Sequence, residues 1–88
     1  MVYRTLTIQN SLGIHARPAS LIVQMCKNFK SDIAIEKDGV SADAKSIMNI
    51  MMLAAASQSE VVVRAKGPDE QAALDAIVTL FENKFNEE

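Results

Sequence analysis

Apolar positions along this chain switch between a repeat of two and a repeat near 3.6, and the switches mark its elements. In residues 2 to 8, Val2, Leu6 and Ile8 share one side and Tyr3, Thr5 and Thr7 the other, with Arg4 the one interruption, so a half-buried strand is expected. Residues 9 to 13 form a loop. Ala19, Ile22, Val23, Cys26 and Phe29 then follow i, i+3, i+4, i+7, which predicts a helix over about 16 to 28 with one buried face. Pro18 suits its first turn, where a missing N–H costs nothing, and Gly13 permits a sharp approach to it.

From residue 31 the period returns to two. Ile33 and Ile35 alternate with Ala34 and Glu36 in a strand over 31 to 37, Asp38-Gly39 makes a tight hairpin turn, and 40 to 43 come back as a third strand. Ser46 is a good N-cap for a helix from Ile47 to about Leu53. A fourth strand covers 60 to 66 with Val61, Val63 and Ala65 facing in. Gly67-Pro68 ends it, Asp69 is placed to cap a last helix, the acidic pair Asp69-Glu70 matches the dipole there, and Leu74, Ile77, Phe81 and Phe85 mark the buried side. This order implies an α+β fold of two layers, an antiparallel sheet covered on one face by helices.

Eighty-eight residues suffice for one domain, 1 to 88, that buries roughly 60 to 70% of its unfolded surface without a metal or disulfide. The single cysteine, Cys26, falls on the apolar stripe of the first helix and is expected to be a buried small hydrophobe in a reducing compartment. No apolar run is long enough for a membrane span, and the chain starts directly on a strand pattern; no signal peptide or membrane insertion is expected, and the cytoplasm is the expected location. Nine basic and eleven acidic residues leave a formal charge of −2, and with no tryptophan there is no stacking platform, which argues against a nucleic-acid partner. No carboxylate pair outside a helix start or the chain end, no Ser/His/Asp set, no CxxC pair and no glycine-rich phosphate loop is evident, so hydrolytic or nucleotide-dependent catalysis has no supporting constellation.

The candidate chemistry lies in Gly13-Ile14-His15-Ala16-Arg17-Pro18-Ala19, where the only histidine directly precedes a helix. The N–H groups of Ala16 and Arg17, the helix macrodipole and the Arg17 guanidinium would all attract an anion on the His15 ring. A neutral imidazole carries a lone pair able to attack phosphorus, and an N-phosphorylated ring protonated at its other nitrogen is a good leaving group, so the site suits reversible carriage of a phosphoryl group. The bland alternative is a histidine that only caps its helix.

This segment, together with Lys45-Ser46-Ile47-Met48, resembles the HPr family, the histidine-containing phosphocarriers of the bacterial phosphoenolpyruvate-dependent sugar phosphotransferase system. The resemblance implies a strand order 1-4-2-3 under three helices, phosphorylation of His15 on Nδ1, Arg17 as its electrostatic partner, and Ser46 as a regulatory phosphorylation site in many members. It implies enzyme I as donor, sugar-specific IIA domains as acceptors, and, for Ser46, the HPr kinase/phosphorylase and a catabolite-control regulator. Such a protein is a monomeric carrier and covalent substrate, without cofactor, rather than an enzyme. Ile47, Met48 and Met51 would form an exposed apolar patch beside the first helix, completed by Ser20, Gln24 and Lys27, although methionines also serve as core filler. Ser46 has its own plain explanation as an N-cap. Pro18 leans toward the sugar branch rather than the nitrogen branch.

Two departures from the resemblance concern the second helix. Relatives often carry glycines near its end, whereas residues 54 to 59 have none; either the helix runs on through the alanines or one of Ser57, Gln58 and Ser59 takes an awkward backbone. Asn49 also stands where glycine is frequent. Two other readings compete with this one. A strand-helix sandwich of the acylphosphatase kind would use arginine and asparagine at an anion cradle and make His15 incidental; a purely regulatory paralogue would act through phospho-Ser46, but such paralogues lack the histidine.

Overall fold

The computed structural model describes residues 1 to 86. Within them the chain forms β1 (Val2–Thr7), α1 (Ala16–Cys26), β2 (Asp32–Lys37), β3 (Val40–Asp43), α2 (Ile47–Met52), β4 (Glu60–Lys66) and α3 (Glu70–Glu82), followed by a 3-10 turn at Lys84–Asn86. The four strands make one antiparallel sheet in the order β1-β4-β2-β3. The last strand is therefore central: Val61 faces Leu6 on β1, while Val63 faces Ile35 and Ala65 faces Ile33 on β2.

The period of two explains which side of this sheet is dry. Leu6, Ile33, Ile35, Val61, Val63 and Ala65 are buried beneath Ala19, Ile22, Val23 and Cys26 of α1, Ile50 of α2 and Leu74, Ile77, Val78 and Phe81 of α3. Each large aliphatic side chain enclosed in this way contributes about 1.5 to 3 kcal/mol of transfer free energy. The opposite face stays open, with Tyr3 exposed and Arg64 held to Glu36 through two bonds of 2.8 and 3.1 Å. Arg4, opposite Val63 and so on the covered side by register, is nevertheless exposed on the edge strand.

Several local expectations are corrected. Helix α1 stops at Cys26 with Lys27 as C-cap, short of residue 28, and Phe29 is only half-buried at the core's edge. Beyond that end the Phe29 carbonyl accepts from Lys45 Nζ at 2.8 Å. Phe85 is buried, but it lies beyond α3, in a turn where Lys84, Phe85 and Asn86 all have φ between 53 and 61°. Its ring meets Phe81 edge-on with centroids 4.9 Å apart, so the spacing of four survives although the helix does not.

Asp69 sits at the N-cap position of α3 yet makes no side-chain capping bond. Its carboxylate instead accepts from the backbone N–H groups of Lys30 and Ser31, each at 2.9 Å, and from the Ser31 hydroxyl, clasping the α1–β2 connection to the β4–α3 connection. Glu70 takes over locally by accepting from the Gly67 N–H at 3.1 Å.

The segment after α2 follows the second of the two alternatives and adds to it. The helix ends at Met52 with Leu53 as C-cap; Ala54 then takes φ 49° and Gln58 takes φ 70°, both in the left-handed region. Gln58 is one of the three residues expected to take such a backbone, and Ala54 is an addition to them.

Candidate functional site

Position of the histidine begins with the strand before it. Ile8, buried just past β1, is held by Ser59 and Gln58: its N–H donates to the Ser59 carbonyl at 3.0 Å and its carbonyl accepts from the Gln58 N–H at 2.7 Å. The chain then turns through Asn10 to Gly13. Gly13 has φ 71°, and a Cβ there would lie 2.6 Å from the Ala55 carbonyl oxygen, so only glycine fits this crossing. Ile14 is buried and donates its N–H to that same carbonyl at 2.9 Å.

His15 follows as the N-cap residue of α1, with extended backbone (φ −101°, ψ −164°). Its carbonyl accepts the Ala19 N–H at 3.0 Å, but its side chain makes no capping bond, so the half-buried imidazole is not engaged in starting the helix. Ala16 and Arg17 occupy the first turn, are exposed, and carry N–H groups with no acceptor inside the helix. Pro18, buried in the same turn, has no N–H to offer. The buried stripe Ala19, Ile22, Val23 and Cys26 anchors the helix axis to the sheet, which fixes where its positive end points. An imidazole ring, two backbone donors and a guanidinium-bearing side chain thus share one helix start.

The remaining candidates lie along α1 and α2, which pack against each other. On α1, Ser20 is half-buried and Gln24 and Lys27 are exposed; the Gln24 amide donates to the Ser20 hydroxyl at 3.4 Å. On α2, Ile50 and the C-cap Leu53 point into the core, while Met48 is 75% exposed and Ile47 and Met51 are about 40% exposed. Met52, 77% exposed on the same helix, and Leu12, 72% exposed in the loop before His15, are further exposed apolar side chains. Neither was singled out from the sequence: Met52 lay in the methionine cluster without a separate role, and a leucine in a loop carries no periodic signal.

Ser46 caps α2 as expected, its hydroxyl accepting from the Asn49 backbone N–H at 3.3 Å and from the Asn49 side-chain amide at 3.0 Å. Asn49 is thus tied to the cap. Cys26 is fully buried, and desolvation pushes its thiol up to about 12, against a smaller opposing pull from Lys45. It is a packing residue. Among the described residues no group of His, Cys, Asp and Glu is arranged to hold a metal ion, and no helix is long and apolar enough to cross a membrane.

Comparison with known proteins agrees with this geometry. Residues 2 to 83 match the family model described as the PTS HPr component phosphorylation site. The phosphocarrier protein HPr of Treponema pallidum is 50% identical over 88 residues, all of both chains. A crystal structure of HPr from Thermoanaerobacter tengcongensis superimposes with a TM-score of 0.96 at 46% identity, covering 100% of this chain and 99% of that one. A structure from the same organism titled as an HPr dimer gives 0.75 at 49% identity, with 99% and 100% covered. Relatives named NPr, from Proteus mirabilis, and Crh, from Halalkalibacterium halodurans, are 39% and 42% identical over 98% and 96% of this chain.

Proposed function

Since the chain belongs to the HPr family of phosphotransferase-system phosphocarriers, which are carriers and not enzymes, we propose that His15 is its phosphoryl acceptor, charged by phospho-enzyme I and discharged to sugar-specific IIA domains. The observation that carries this is a histidine at the N-cap of α1 whose ring is not spent on capping, beside the outward N–H groups of Ala16 and Arg17. The Nδ1 lone pair attacks phosphorus while the bond from phosphorus to the donor breaks and its electron pair leaves with the donor. The proton already on Nε2 stays there, so the product is an imidazolium bearing a phosphoryl dianion, ready to leave again. Ala16 and Arg17 bind the phosphoryl oxygens through backbone N–H groups, and the Arg17 guanidinium offsets their charge. Partners dock on Ile47, Met48, Met51, Ser20, Gln24 and Lys27, with Leu12 and Met52 enlarging the apolar part.

The whole chain, 1 to 88, acts as one carrier domain in the cytoplasm, and as a monomer, because acceptor and docking residues come from adjoining elements of a single chain. Higher identity to HPr than to NPr supports the sugar branch. Ser46 is proposed as a regulatory site for the HPr kinase/phosphorylase, read by a catabolite-control regulator; similarity to a protein named Crh favours this second role, while His15 favours the carrier role over a purely regulatory one.

The test is incubation with enzyme I and phosphoenolpyruvate. One phosphoryl group is expected, labile in acid and stable in base as a phosphoramidate is, and absent from a folded His15→Ala variant. Label that survives this substitution would show that the acceptor lies elsewhere.

A further inference from the structure

Two polar side chains are fully enclosed among the described residues, Asn10 and Ser31. Ser31 belongs to the Asp69 clasp. Asn10 lies in the loop before His15, and burying a side-chain amide is costly unless its bonds organise something.

What it organises is one peptide unit. The Asn10 side-chain amide donates to the Gly13 carbonyl at 2.7 Å, and the Gly13 N–H returns a bond to the Asn10 carbonyl at 3.2 Å. The Gly13 carbonyl also accepts the His15 N–H at 3.2 Å. At the other end of the same peptide, the Ile14 N–H donates to Ala55 at 2.9 Å. The Gly13–Ile14 peptide is therefore held at its oxygen by Asn10 and at its nitrogen by Ala55, one residue before the nucleophile. With Gly13 at φ 71°, a conformation glycine leaves as readily as it enters, rotation of this peptide is opposed by those bonds together with the burial of Ile14. Rotation would carry away the oxygen that receives the His15 N–H and would swing the Cα–Cβ direction of His15.

We propose that Asn10 is a positioning residue for phosphoryl transfer, its buried amide fixing the Gly13–Ile14 peptide and thereby the direction in which the His15 ring leaves the helix start. This rests on His15 being the acceptor. It assigns Asn10 no contact with the phosphoryl group; it acts through the backbone. A misplacement of about 1 Å can cost up to roughly a hundredfold in an in-line transfer.

The experiment compares Asn10→Ala with Val78→Ala, a cavity made on α3, at a temperature where both remain folded. With each as substrate of enzyme I, kcat and KM are measured, together with the hydrolysis half-life of the phosphorylated carrier. Asn10→Ala is expected to lower kcat by about tenfold or more, with KM changing much less because, of the proposed docking residues, only Leu12 lies in this loop and the rest are on α1 and α2, and to alter the half-life; Val78→Ala should leave all three at wild-type values. Asn10→Asp, which keeps the shape and replaces the donor with an acceptor, should lower kcat in the same way and serves if the truncation does not fold. A kcat for the Asn10 variants equal to that of Val78→Ala, or a change confined to KM, would overturn the positioning role. In that case wild type would still be labelled on His15, whereas an unlabelled wild type would overturn the acceptor assignment itself.

Discussion

Arg17 is the residue at which charge and helix geometry pull in opposite directions. A cation in the first turn is unfavourable to the helix dipole, and Arg17 is exposed, so nothing in packing accounts for it there. Its loss in Arg17→Ala is expected to slow transfer both to and from His15 by on the order of ten- to a hundredfold, the equivalent of one charge-assisted bond of about 1.5 to 3 kcal/mol. Melting should stay within about 3 °C of wild type or rise slightly. Wild-type rates in that variant would take Arg17 out of the transfer step. Cys26 is the opposite kind of residue: enclosed by the α1 stripe, with its thiol protonated up to about pH 12, it should resist an alkylating reagent in the native protein and react only on unfolding. Modification of the native form at the rate seen in denaturant would contradict its burial.

At the level of elements, α2 and the segment after it combine an N-cap that the sequence advertises with a C-terminal turn that it resists. Ala54 follows the C-cap Leu53 in the left-handed region, where an L side chain costs about 1 to 2 kcal/mol relative to its ordinary conformations. Ala54→Gly should therefore stabilise the protein by up to about 1 kcal/mol, read as a higher denaturant midpoint at unchanged slope; a lower midpoint would show that packing of the Ala54 methyl outweighs the backbone strain. At the other end, Ser46→Asp keeps a good cap, so melting should not fall. The new charge nevertheless adjoins the exposed Ile47, Met48 and Met51, the patch proposed for docking; if an apolar partner surface is desolvated there, enzyme I affinity is expected to drop. Equal losses of affinity and stability would instead mean that the charge acts by unfolding.

For the molecule as a whole, stability depends on joining distant parts of the chain, since β4 must insert between β1 and β2 before the sheet is complete. The Asp69 clasp reinforces that closure. Bonds from Ser31, the Lys30 N–H and the Ser31 N–H hold the Asp69 carboxyl down to about 2, below its ordinary value. Because the folded value is the lower one, this contribution is fully present above the ordinary carboxylate range and is lost as pH falls through about 2. Asp69→Asn should accordingly melt below wild type at pH 5, and the gap should narrow as both are acidified toward pH 2. A gap independent of pH would show that the clasp acts by shape and not through its charge.

Much of the fold and the core of the candidate site were legible in the sequence because they are recorded locally. Alternation at Ile33, Ile35, Val61, Val63 and Ala65 reports which face is dry whatever lies across it, and a histidine ahead of an apolar stripe reports a helix start with a ring at its positive end. The strand order came with the family resemblance and not with periodicity, since alternation is the same in every arrangement of the strands. Residues whose partners are remote in sequence could not be read. Asp69 looks like a cap until Ser31 is brought beside it; Asn10 looks like a loop residue until Gly13 crosses Ala55; Ala54 looks like helix until the chain must return to pair Gln58 with Ile8. By itself the sequence determined the order of the strands and helices and the buried side of each. Only the tertiary structure decided which backbone groups meet across the chain, because a hydrogen bond is directional and short-ranged, and its partner exists only once packing has placed it.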